Sequence, residues 1–101
     1  MDIRVVTGNT KATLSLSGRF DFSSHRAFKD AYHELVSNPQ LQLIEVDFEK
    51  VEYLDSSALG MLLVLREKMV AVGKKVELTS VQGTVNQVLE IANFKKLFAI
   101  R

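Results

Sequence analysis

Asp55-Ser56-Ser57 puts a carboxylate and two hydroxyls together, between the apolar run that ends at Leu54 and a long apolar segment that starts at Ala58. These residue types allow helix capping, acceptance of a phosphoryl group or, with a base at hand, nucleophilic attack. Taken alone, the triplet is a capping sequence. Nucleophilic or phosphoryl-transfer catalysis asks for more. Ser56 lacks the flanking glycines of a hydrolase elbow, and the chain has neither a glycine-rich phosphate loop nor a metal-ligand cluster. Its two histidines, His25 and His33, lie eight residues apart, roughly 12 Å along a helix and too far for an i, i+4 ligand pair. With no cysteine, disulfides, thiolate metal sites and a cysteine nucleophile are excluded. The residues thus point to no catalytic, cofactor or metal site, and leave Ser56 as a cap residue at which a phosphate could be tolerated. At a helix start the first amides are unpaired and carry partial positive charge, which favours a phosphate there by ~0.3–1 kcal/mol.

The elements that must hold this triplet follow from periodicity. Ile3, Val5 and Val6, then Ala12, Leu14 and Leu16, bracket Gly8-Asn9-Thr10 and predict a hairpin. From Ser23 to Asn38 the period turns helical, with Ala27 or Phe28, Ala31 and Leu35 on one face, Ser23 or Ser24 as N-cap, and Pro39 as the stop. Leu41, Leu43, Ile44, Val46 and Phe48 predict a central strand buried on both faces, followed by a loop from Glu49 to Asp55. A second helix starts at Ser56 or Ser57 and runs to Gly73 as C-terminal cap. Val76, Leu78 and Val81 give a fourth strand, Val85, Val88, Leu89 and Ala92 a third helix, and Leu97 to Ile100 a last extended piece. The order β-β-α-β-α-β-α-β implies an α/β fold, a mixed four- to five-stranded sheet with helices packed on it through right-handed crossovers.

Composition sets the remaining bounds. A chain of 101 residues, 47% of them hydrophobic, suffices for one domain over residues 1–101. Its 13 basic and 12 acidic residues leave a net charge of +1 and form no long run of like charge. The doublets Lys74-Lys75 and Lys95-Lys96 read as solvated turns, and nucleic acid is not an expected partner. The apolar run Met61–Leu65 is far shorter than the ~18 residues of a membrane span. With no basic-then-apolar leader at Met1-Asp2-Ile3-Arg4, the expectation is a cytoplasmic protein that does not engage a membrane.

Leu54-Asp55-Ser56-Ser57-Ala58-Leu59-Gly60, preceded by the strand Ile44–Phe48, closely resembles the signature of the STAS-domain anti-sigma-factor antagonists. Leu16-Ser17-Gly18-Arg19-Phe20-Asp21 resembles the same family's glycine-x-hydrophobic-aspartate element, and the likeness covers essentially the whole chain. Ala58 stands where that family has glycine. The resemblance implies a STAS fold and partner switching. The unphosphorylated protein would bind an anti-sigma factor that is also a serine kinase of the histidine-kinase-like ATPase class; phosphorylation at Ser56 would release it, and a phosphoserine phosphatase would reset it. Asp21 and Asp55 would flank the acceptor. The exposed contact surface would comprise Asp21, Phe22, Ser23, Ser24, Asp55, Ser57, Ala58 and Met61, with Phe20 and Phe22 assignable either to the core or to the interface. STAS-like domains also serve as subunits of lipid-transport ATPase complexes, and a constitutive scaffold of that kind is the alternative.

Overall fold

In the computed structural model, which describes residues 1–101, β1 (Asp2–Thr7) and β2 (Lys11–Phe20) form the expected antiparallel hairpin. Asp2 lies opposite Ser17 and Thr7 opposite Ala12, and the turn closes where the Gly8 amide donates to the Lys11 carbonyl at 2.8 Å. Then follow α1 (His25–Ser37), β3 (Leu43–Leu54), α2 (Ser56–Ala71), β4 (Lys75–Thr79), α3 (Gly83–Ile91) and β5 (Ala99–Ile100). The five strands lie in the order β1-β2-β3-β4-β5; β1 is antiparallel to β2, and every later pairing is parallel. Each strand from β3 onward is laid directly beside its predecessor. With right-handed connections, that puts all three helices on the same face of the sheet.

Burial follows this geometry. Leu14 and Leu16, Ile44, Val46 and Phe48, and Val76 and Leu78 point into the helices and are buried, whereas Thr13, Ser15, Glu45, Asp47 and Glu77 lie between them on the open face. The expectation that β3 is buried on both faces is therefore corrected. It is central in the order, but only one of its faces is covered; the apolar run is continuous because Leu43, half-buried on the open face, adjoins Ile44, and the buried Leu41 precedes the strand.

The expected loop from Glu49 is also replaced. β3 continues to Leu54, because Ser17–Phe20 of β2 pair with Lys50–Leu54 after register shifts between Ser15 and Ser17 and between Gly18 and Arg19. Both shifts put an additional residue into β3, which bends the strand and re-aims its end. At the other margin, β4 stops at Thr79, and Val81 lies in the turn after Ser80, whose φ is +56°. In α1 the buried stripe is Phe28, Tyr32 and Leu35, and Ala27 is exposed. α2 ends as expected, with Gly73 just beyond it in the left-handed region at φ +74°.

Two polar contacts pin these layers. Lys74, read from sequence as part of a solvated doublet, is buried, and its ammonium donates to the Val36 carbonyl at 2.8 Å and the Asn38 carbonyl at 2.5 Å. A cation at the C-terminal end of α1 satisfies carbonyls left without helical partners and opposes the helix dipole. On the open face, Glu45 pairs with Lys11 at 3.1 Å and with Arg101, which also reaches Glu77 at 2.8 Å. Burial pushes the Glu45 carboxyl up, but the hydrogen bonds and charges of Lys11 and Arg101 outweigh it and hold the group below its ordinary value.

Replacing Lys74 by Met keeps the aliphatic stem and removes both charge-assisted bonds; a loss of ~1–3 kcal/mol in urea unfolding is expected, against ~0.5 kcal/mol or less for Lys75→Met. The depressed Glu45 group contributes stability that is present above its ordinary value of 4.5 and is lost as pH falls from there through the lower folded value. Stability measured from pH 6 down to about 3 should fall less steeply in Glu45→Gln than in the unsubstituted chain.

Candidate functional site

The site is built where β2 and β3 end together. Phe20 pairs with Leu54, and the Asp55 amide donates to the Phe20 carbonyl at 3.3 Å. The residues that follow, Asp21 and Asp55, thus leave neighbouring parallel strands, whose axes lie about 4.8 Å apart. Each carboxylate is then used in a cap. Asp55 is the N-cap of α2, and its Oδ1 accepts from the Ala58 amide at 3.0 Å. Asp21 caps the single 3-10 turn Phe22–Ser24 that leads into α1, its Oδ1 accepting from the Ser23 amide at 3.1 Å and the Ser23 hydroxyl at 2.6 Å. The Ser23 hydroxyl bond is the largest influence on the Asp21 carboxyl and lowers it; burial opposes this, and the Ser23 amide and the charge of Arg19 add to the lowering, so the group lies below its ordinary value.

Ser56 is the first residue of α2 and is exposed, and Ser57 is partly covered. Helical bonding begins with the Leu59 amide donating to the Asp55 carbonyl at 3.2 Å, while Asp55 Oδ1 takes the Ala58 amide. The amides of Ser56 and Ser57 are left without an intrahelical acceptor. The triplet is thus both things its residue types allowed, a cap at Asp55 and an accessible hydroxyl at Ser56.

The structure separates the residues expected at the contact surface. Phe20 is 0% exposed and packs in the core, its ring tilted against that of Phe28 with centroids 5.0 Å apart, whereas Phe22 is 75% exposed. Asp21, Phe22, Ser23, Asp55 and Ser57 lie together around Ser56 at the surface or its margin. Ser24, Ala58 and Met61 are corrections, since all three are buried. The Ser24 hydroxyl does not cap α1; it donates to the Arg19 carbonyl at 3.1 Å and accepts from the Asp21 amide at 3.4 Å, fixing the loop that carries Asp21. Ala58 faces the core because it lies on the inward side of α2 with Leu62 and Leu65, so a methyl group there in place of a glycine hydrogen does not obstruct approach from outside. Met61 is held between α1 and α2. His25 and His33 are exposed on α1, and no group of three or more potential ligands gathers anywhere in the molecule.

Sequence reasoning missed Arg19 and Tyr53. They are register partners on β2 and β3, with the guanidinium 4.1 Å from the Tyr53 ring centroid and 3.7 Å from Asp21. Their i−2 spacing from Asp21 and Asp55 is visible in the sequence, but their pairing depends on the two bulges. A partly exposed aromatic ring and a cation thus border the acidic pair.

Five strands in this order with three helices on one face define the STAS fold. The family model described as "Mlab, STAS domain" matches residues 3–99. A STAS-domain containing protein of Pseudomonas aeruginosa (strain UCBPP-PA14) is 41% identical over 88 residues, which cover 87% of this chain and 85% of that protein. The chain belongs to the STAS-domain family. Among solved structures, an anti-sigma factor antagonist from Mycobacterium paratuberculosis has the same fold, with a TM-score of 0.85 at 19% identity over 98% of this chain and 83% of that one. The anti-sigma factor antagonist SpoIIAA in its unphosphorylated form gives 0.78 at 17% identity, covering 99% of this chain and 87% of that one. The Bacillus cell fate determinant SpoIIAA in its phosphorylated form gives 0.77 at 16% identity, covering 99% and 91%.

Asp55→Ala removes the side-chain acceptor for the Ala58 amide and should cost ~1 kcal/mol in unfolding free energy, while Asp55→Ser should keep the stability within a few tenths. Hydrogen exchange gives the local readout: the Ala58 amide should lose protection in the alanine variant and retain it in the serine variant.

Proposed function

We propose that this chain is a non-enzymatic switch of the anti-sigma-factor-antagonist type, acting in the cytoplasm as a single domain over residues 1–101 without a cofactor. Unphosphorylated, it binds an anti-sigma factor that is also a serine kinase of the histidine-kinase-like ATPase class. Phosphorylation of Ser56 releases it, and a phosphoserine phosphatase restores it. The observation that carries this reading is the exposed Ser56 hydroxyl on the first turn of α2, beside unpaired amides and two fixed carboxylates.

The physics of the switch follows from that placement. A phosphoryl group adds about −1.5 to −2 charge at neutral pH next to Asp21 and Asp55, on a chain whose net charge is +1. The amides of Ser56 and Ser57 and the positive end of α2 offset part of the internal repulsion, so the fold is retained. In support, the structural neighbour SpoIIAA is matched about equally in both forms, at TM-scores of 0.78 and 0.77. What changes is the outward face. Bringing a partner surface against an uncompensated dianion costs several kcal/mol, enough to alter affinity by orders of magnitude. In this reading Ser56 is the acceptor and supplies no catalysis; base, metal and nucleotide come with the kinase.

Two measurements test this. Fragment mass spectrometry of the protein isolated from its native cells should locate a phosphatase-sensitive phosphoryl group on Ser56 that is absent in Ser56→Ala. A kinase-like anti-sigma partner should co-purify with the unmodified chain and with Ser56→Ala, and Ser56→Asp should lose at least about tenfold in affinity, or ~1.4 kcal/mol. An unmodified Ser56 under every growth condition, together with a membrane-transport partner retained by Ser56→Asp, would overturn the switch in favour of a constitutive scaffold.

A further inference from the structure

The core takes only half of α2. Ala58, Met61, Leu62, Leu65 and Met69 turn inward and are buried, yet the outward side is also apolar, with Leu63, Val64 and Val70 exposed by 36%, 42% and 55%. Apolar side chains exposed beside Glu67 and Lys68, on the outward side of a helix whose inner side is already packed, are surface that a partner can cover. The outward residues are not scattered. Ser56, Gly60, Leu63, Glu67 and Val70 recur at i, i+4, i+7, i+11 and i+14, the spacing of a helix-packing seam about 21 Å long. Ser56 is the N-terminal residue of that seam.

Beside the seam a cleft of about 410 Å³ opens between α1 and α2. Its floor is Phe28, Tyr32 and Met61, its rim carries His25, Lys29 and Lys68, and no carboxylate lines it. Gly60 lies where the cleft meets the seam, and a Cβ there would meet nothing within 4 Å. The missing side chain leaves room for a partner backbone to come close, as a third helix laid into the groove between two others would require.

We propose that the α1–α2 cleft and the outer seam of α2 seat an acidic amphipathic helix of a protein partner. Apolar residues of the incoming helix lie on Gly60, Leu63 and Val64, and its carboxylates face Lys29 and Lys68. Glu67, on the seam between Leu63 and Val70, calls for one neutral or basic position in that helix. The assignment rests on the reading of Ser56 as the switch and deepens it. A phosphoryl group at the end of a seam occupied by an acidic helix repels it, so the sign of the partner's charge is the reason the modification releases it.

The test is an NMR titration of the isotope-labelled full chain with three probes. These are a stapled helical peptide with a Leu/Ile stripe flanked by Glu, the same peptide with Lys in place of Glu, and phosphatidylcholine vesicles containing phosphatidylglycerol. The Glu peptide should shift the amides of Lys29, Gly60, Val64 and Lys68. Its affinity should fall about tenfold or more in the double variant Lys29→Glu, Lys68→Glu and in Ser56→Asp, with dispersed spectra showing that both variants remain folded. Equal binding of the Lys peptide, shifts confined to another surface, absence of peptide binding, or binding to the vesicles alone would each overturn the assignment. The outcome is separable from that of the switch. A Ser56 never phosphorylated in cells would overturn the switch and leave a peptide-binding cleft standing, and loss of the native partner by Ser56→Asp without any peptide binding would do the reverse.

Discussion

The parallel pairing of β2 with β3, carried past two bulges to Phe20 and Leu54, is the constraint on which the rest of the molecule depends. It delivers two chain segments, distant in sequence, to one point at the carboxyl ends of adjacent strands. From there one segment turns into α1 through the cap at Asp21, and the other into α2 through the cap at Asp55. Were the pairing to stop at Ser15 and Asp47, the last of the regular pairs, Asp21 and Ser56 would have no fixed relation. The core enforces the continuation. Phe20 packs against Phe28 and against Phe48, with centroids 5.0 and 6.3 Å apart, and so ties the end of β2 to α1 and to the bulged part of β3. Displacing that end would open a cavity of aromatic size, for which truncation of a buried Phe to Ala gives a scale of about 3–5 kcal/mol.

One-sided packing is the second consequence of the topology. Because every crossover moves to the next strand in the same direction, the opposite face of the sheet has no helix and is filled with Thr, Ser and paired charges such as Glu45 with Lys11 and Arg101. On that open face Leu43 is half-buried and Val6, opposite Thr13, is exposed. On the helical side Phe22, Leu63 and Val70 are exposed, and Ser56 lies on the first turn of α2.

Much of this was legible in the sequence, for identifiable reasons. Helix and strand periods mark the elements and their order, Gly73 marks the end of α2, and the resemblance of residues 54–60 points to the STAS fold. What was not legible required long-range pairing. The extension of β3 through Glu49–Leu54 lacks a strand-like apolar alternation and is held by its partner Ser17–Phe20. Lys74 looks like any surface lysine until the end of α1 is brought against it. Phe20 and Phe22 have the same side chain two residues apart and would share a face of a strand; only the 3-10 turn that begins at Phe22 sends one inward and the other outward.

The cap geometry explains how a local charge can act without remodelling the fold. Had Asp55 not taken the Ala58 amide, a phosphoryl group on Ser56 could compete for it and draw the first turn of α2 around itself, coupling modification to the helix end. With that amide already committed at 3.0 Å, a phosphoryl group on Ser56, as proposed, would find only the amides of Ser56 and Ser57, outside the bonded part of the helix. Ala58 strengthens the separation, because its buried methyl anchors the third residue of the helix in the core while Ser56, two positions earlier, points to solvent. The first turn is rigid on its inner side and accessible on its outer one. Under the proposed switch, a charge placed on the outer side would be expressed in what can dock there and not in the shape of the domain.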